Sequence, residues 1–126
     1  MHYVHIVALL AVIQYFFFGV LVGKARGQYG VKAPAVMGNE HFERAFRVQM
    51  NTLEQLAAFL PSLLIAAQYW SGAMVSGIGA VYLVGRMLYQ RAYVADPRKR
   101  QLGFILTALP TAVLMAMGLA GAVLGR

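Results

Sequence analysis

The chain has 126 residues, of which 60% are apolar and only 12% charged, and its formal net charge is +7. A soluble domain this short must cover a large relative surface with polar residues, so the composition excludes one and points to lipid. Cysteine is absent, which rules out disulfides, thiolate metal ligands and a protein thiol nucleophile.

Four apolar segments follow in chain order, each close to the roughly 20 residues a helix needs to cross a bilayer. The first spans residues 3–22, with Gln14 as its only strongly polar side chain. It has neither a basic leader nor a small-residue cleavage site, and is expected to be a retained span. A polar connection over 23–41 leads to a second helix over 42–70, with a kink expected at Pro61. Ser71 and Gly72 turn the chain into a third helix over 73–93. Asp96-Pro97 breaks it, because proline disfavours helix in the residue before it. A fourth helix covers 99–124 with Pro110 inside. The expected architecture is one all-α transmembrane domain, residues 1–126, built as a four-helix bundle. Gly19 with Gly23, and Gly121 with Gly125, have the spacing of close helix packing in lipid.

The basic residues give the topology. Lys24, Arg26, Lys32, Arg44 and Arg47 lie in or beside the first connection, and Arg86, Arg91, Arg98, Lys99 and Arg100 in or beside the third. These are ten of the eleven Lys and Arg residues; the other is Arg126. In a four-span chain both connections face one side, which the positive-inside rule makes cytoplasmic, with both termini outside. The basic excess is thereby accounted for without a nucleic-acid partner.

Arg47, Glu54 and Arg86 fall inside helices, where an ionised group costs about 2.5–3.5 kcal/mol at mid-bilayer. At 100° per residue, Arg44, Arg47, Asn51, Glu54 and Gln55 share about a quarter-turn of the second helix. Tyr82, Arg86, Tyr89 and Tyr93 form a second stripe on the third helix. Two such stripes build one polar pocket near the cytoplasmic end when they face each other. Taken singly, each residue has a structural reading: an Arg–Glu pair holding the bundle, or tyrosines anchoring at the interface. Gln49 points to the opposite face of the second helix, which suggests a partner subunit and a site between subunits.

The stretch FERAFRVQMNTLEQ (residues 42–55) resembles a signature of the membrane-associated proteins in eicosanoid and glutathione metabolism, the MAPEG family. VYLVGRMLYQRAYVADPRKRQLGF (81–104) resembles its second signature, and with the hydrophobic frame the likeness covers nearly the whole chain. The resemblance implies a homotrimer in the cell membrane, here a bacterial inner membrane, and a glutathione site between subunits facing the cytoplasm. It assigns Arg47, Asn51, Glu54, Arg86, Tyr89 and Tyr93 of one subunit to glutathione binding, with Arg26 and Gln49 reaching in from the neighbour. Arginines suit the two carboxylates of glutathione and Glu54 its ammonium. Arg100 takes the place of the family's arginine that holds the sulfur as thiolate; on residue type alone it reads as a topology anchor, like Arg98 and Lys99.

Two positions depart from the family pattern. Gln55 replaces a tyrosine, which alters one expected contact to glutathione, and Gly27 stands where the leukotriene-synthesising members have a second arginine, which argues against that role; as a short chain it looks more like the small bacterial members. The implied function is a glutathione S-transferase that uses glutathione as co-substrate, without a metal, on lipophilic electrophiles, with glutathione peroxidase activity toward lipid hydroperoxides. The alternatives are a non-catalytic glutathione- or lipid-binding protein, a purely structural membrane subunit and a small multidrug exporter. The exporter is expected to carry a carboxylate in its first helix, and none is there.

Overall fold

A computed structural model describes residues 2–125, so Arg126, the basic residue outside the two connections, and Met1 lie outside the described residues. The chain forms α1 (His2–Tyr29), α2 (Glu40–Tyr69), α3 (Gly72–Ala95), a 3-10 turn (Pro97–Lys99) and α4 (Gln101–Leu124). All four α-helices are long and apolar enough to cross a membrane. Large apolar side chains on their outer faces are exposed, Phe16 at 72% among them. Water would penalise that surface and lipid does not. The protein is an all-helical, multi-pass membrane protein.

The helix ends have local causes. α1 runs seven residues beyond the apolar segment, because Lys24, Arg26 and Gln28 are good helix formers; it stops where Gly30 adopts φ +70. Lys24 and Arg26 therefore sit on a helix, not in a loop. α2 begins at the Asn39 cap, whose side chain accepts from the His41 and Phe42 amides at 2.9 and 3.1 Å. Glu40 and Glu43 follow in the first turn, where the helix dipole favours carboxylates. α2 stays helical through Pro61. Ser71 caps α3, accepting from Met74, and Asp96 caps the 3-10 turn.

The core lies between the four helices around Phe59, Leu63, Val75 and Leu114, with Tyr82 stacked on Phe59 at 3.8 Å between ring centroids. Close helix contacts occur at two of the glycines the spacing suggested, Gly19 and Gly121, and at others it did not. A Cβ on Gly85 would lie 2.7 Å from the Leu106 carbonyl carbon, and one on Gly103 only 2.4 Å from the Tyr89 nitrogen. α3 and α4 thus touch backbone to backbone. Gly121 does pack closely, against Tyr69, and Gly19 meets the Gln49 side chain. Gly23 meets nothing within 4 Å, and Gly125 serves as a left-handed cap at φ +68.

Candidate functional site

One end of the bundle gathers the polar side chains. Arg47, Asn51 and Glu54 follow one another at helical spacing on α2, Tyr89 and Tyr93 on α3, and Arg100 caps α4. Together with Met50 they enclose a cavity of about 360 Å3, in the size range of small-molecule sites. Arg47, Glu54 and Arg100 are exposed. Among the described residues the ion pairs are Arg44–Glu40 and Arg98–Asp96, so neither Arg47 nor Glu54 is paired. The structural reading, an Arg–Glu pair holding the bundle, therefore does not hold for these two. The cavity offers two guanidiniums against one carboxylate. It suits a small anion that also carries a positive group.

Behind the wall stands Arg86, which is 0% exposed and does not line the cavity. Its Nη1 donates to Asn51 Oδ1 at 2.8 Å and to Thr52 Oγ1 at 3.2 Å, and its Nε donates to Thr107 Oγ1 at 3.0 Å. Its guanidinium also covers the Tyr89 ring at 4.1 Å. With Oδ1 engaged, Asn51 is left with its amide N–H groups as donors to the cavity. Arg86 thus orients the lining from behind. Tyr89 and Tyr93 stack at 5.5 Å, so each restrains the other's ring. Tyr82 stays in the apolar core. Arg44 turns away and donates to the Val94 and Ala95 carbonyls, which ties the start of α2 to the end of α3.

Arg100 is positioned by the short turn before it. Asp96 accepts from the Arg98 amide at 3.1 Å and from the Arg98 side chain. The bond from the Arg98 side chain, then that from its amide, holds the Asp96 carboxyl below the usual carboxylate range. Arg100 Nη1 donates to the Pro97 carbonyl at 2.7 Å. Its side chain borders both the polar cavity and an adjoining one of about 480 Å3, which reaches Gln101 and Phe104. A cation between a polar chamber and one that opens past an exposed phenylalanine can hold a reactive anion where an apolar reactant arrives. A third cleft, of about 690 Å3, shares Arg47 and Tyr93 and extends under the 36–39 segment.

Two residues assigned to glutathione lie elsewhere in this chain. Arg26 donates to the Ala35 carbonyl at 2.7 Å and sits over the Phe42 ring. Gln49 lines a separate surface depression with Tyr15, Phe16, Gly19 and Val20. Sequence reasoning missed Met50, Thr52, Thr107 and Gln101. Of these, the two threonines carried a signal: they are hydroxyls in apolar helices, which need partners in lipid.

A family model described as the MAPEG family matches residues 4–120. An uncharacterized protein of Synechocystis is 46% identical over 110 residues, covering 87% of this chain and 80% of that protein. The human microsomal glutathione S-transferase 2 is 38% identical over 115 residues, 91% of this chain and 78% of the enzyme. A leukotriene C4 synthase of Cavia porcellus is 30% identical over 115 residues, covering 91% and 77% of the two chains.

Proposed function

Because the chain belongs to the MAPEG family, we propose that it is a membrane-bound glutathione S-transferase that joins glutathione thiolate to lipophilic electrophiles. The observation that carries this reading is the cavity of Arg47, Asn51, Glu54, Tyr89, Tyr93 and Arg100. Glutathione has two carboxylates and one ammonium, a net charge that complements two guanidiniums and one carboxylate. Arg47 takes a glutathione carboxylate and Glu54 the ammonium, while Asn51 and the two phenols donate hydrogen bonds. Arg86 contributes by holding Asn51 and Tyr89 in place.

Arg100 acts on the sulfur. A free thiol has a pKa near 8.5, so only a few per cent is thiolate at neutral pH. No histidine lines the cavity to act as a base; His41, for example, stacks on Tyr29. Charge stabilisation by a guanidinium is the remaining route to the thiolate. The thiolate then attacks the electrophilic carbon and expels its leaving group. With a hydroperoxide it attacks the terminal oxygen, the alcohol departs, and a second glutathione completes the disulfide and water. The apolar reactant enters from the lipid past Phe104.

The working form is a homotrimer in which Arg26 and Gln49 of each subunit complete the neighbour's site. The cavity faces the cytoplasm of a bacterial inner membrane, and both termini lie outside. A chlorinated nitrobenzene and an organic hydroperoxide, offered in parallel with glutathione to the detergent-purified protein, test the activity. Conjugation is expected, with hydroperoxide reduction beside it. Turnover of neither substrate refutes the transferase and favours a binding protein.

A further inference from the structure

A second site lies on another face of the bundle, between α1 and α3. There a cavity of about 600 Å3 is open to the outside and walled by Leu10, Ile13, Phe17, Val84 and Leu88. All five are exposed apolar side chains, so the groove is greasy along its length. Gln14 crosses it, donating from Nε2 to the Leu83 carbonyl at 2.9 Å, which sets the register of the two helices. They run the same way: Val7 meets Gly79, Gln14 meets Leu83, and Phe18 packs with Tyr89.

The groove has a charged end. Arg91 closes it on α3. Lys24 comes seven residues after Phe17 and so lies on the same face of α1. At 1.5 Å per residue, Lys24 lies about 15 Å beyond Gln14, and Arg91 about 12 Å beyond Leu83. Half of the hydrocarbon thickness is about 15 Å, so both cations reach one headgroup layer when Gln14 sits near mid-bilayer. Neither makes a hydrogen bond or ion pair among the described residues.

We propose that the α1–α3 groove binds one anionic glycerophospholipid, with an acyl chain along Phe17 and Val84 and its phosphate between Lys24 and Arg91. The occupant follows from charge and shape together: two unneutralised cations stand one leaflet away from a mid-membrane amide, at the end of an apolar channel. A zwitterionic lipid brings its own cation to the same place and gains less. The site is separate from the cavity around Arg100 and does not depend on the transferase reading.

Native mass spectrometry of the full chain, released from detergent with either phosphatidylglycerol or phosphatidylcholine, tests the proposal. One phosphatidylglycerol per chain is expected to be retained over phosphatidylcholine. Lys24→Gln or Arg91→Gln should each weaken retention roughly fivefold, and the pair about 25-fold, while Lys99→Gln leaves it unchanged. Val84→Trp should block the channel with both cations intact. Equal retention of the two lipids overturns the proposal, as does wild-type affinity in the double variant. So does a loss in Lys99→Gln as large as that in Arg91→Gln, which would mean unspecific attraction. The chain has no cysteine, so Val84→Cys reports whether a second copy covers the groove. It is expected to resist disulfide linkage on oxidation, and quantitative cross-linked dimers would overturn the lipid assignment.

Discussion

Gly103 is the position where packing and chemistry are most directly coupled. A methyl group there would stand 2.4 Å from the Tyr89 nitrogen and 2.5 Å from its Cα, about 1 Å short of an ordinary van der Waals contact. The obstacle is backbone inside a helix, so no rotamer change relieves it. α4 must therefore move away from α3 by about 1 Å in Gly103→Ala. Overpacking of this kind costs about 1–3 kcal/mol of stability. The larger effect is expected on turnover. Gly103 lies three residues from Arg100, and Tyr89 belongs to the wall that Arg100 faces, so separation of the helices changes the distance between the sulfur's cation and the rest of the site. A misplacement of about 1 Å can cost about 100-fold in rate. Conjugation kinetics on helical, detergent-purified protein should show kcat/KM reduced by about that factor. Gly77→Ala, at a position with nothing within 4 Å, should behave like wild type. Wild-type kcat/KM in a folded Gly103→Ala protein would refute the idea that the α3–α4 contact sets the site.

Replacing Arg47 or Glu54 by Ala should weaken glutathione binding by about 1.5–3 kcal/mol in calorimetry, the range for a hydrogen bond to a charged group; unchanged affinity in both would make them structural. Arg100→Ala should keep most of the affinity but lose the ultraviolet absorbance of bound thiolate and most of kcat, with residual activity rising toward alkaline pH. At about 4 Å and an effective dielectric near 20, a guanidinium offers roughly 4 kcal/mol, enough after desolvation to shift a thiol by about two pKa units. An intact thiolate signal in that variant would return Arg100 to the role of anchor. Reporter fusions at either terminus should read the outside of the cytoplasmic membrane, and a tag within residues 28–32 the inside; a cytoplasmic C-terminus would sink that topology.

The helical frame was legible because apolar runs and loop charges are properties of single segments. The boundaries were less so. The first helix looked short because its apolar run stops at Val22, yet Lys24, Arg26 and Gln28 continue a helix as readily as leucine does. The second begins at Glu40 rather than Phe42 because hydrogen bonds to Asn39 set its start; Asn39 followed by Glu40 and Glu43 is a start signal that hydropathy alone passes over. Helical spacing brought Arg47, Asn51, Glu54, Tyr89 and Tyr93 onto facing stripes. It could not tell how far around its helix each side chain turns from the cavity. Arg86 shares the stripe with Tyr89 and Tyr93 but points to Thr107 on α4, a partner that no periodicity within α3 reveals. Spacing found the close contacts of Gly19 and Gly121 but not those of Gly85 and Gly103, for the same reason. Spacing within a helix is visible in sequence, whereas the register between helices arises only when they pack.

The burial of Arg86 bears on how the protein is made. Its Nε and Nη1 are held by Asn51 and Thr52 from α2 and Thr107 from α4, its Nη2 is buried without a hydrogen bond, and among the described residues no carboxylate pairs with it. When α3 first leaves the ribosome, the last of these groups, on α4, has not yet joined it in the membrane. On its own, α3 carries a cation that costs about 2.5–3.5 kcal/mol near the bilayer centre, a penalty that its apolar residues offset only in part. Its entry into lipid is therefore coupled to the arrival of α4, with α2 already waiting. Biogenesis then favours integration of the last two spans as a hairpin over stepwise insertion. A glycosylation reporter should show α3 alone crossing the membrane less completely than the α3–α4 pair, and Arg86→Leu should abolish the difference.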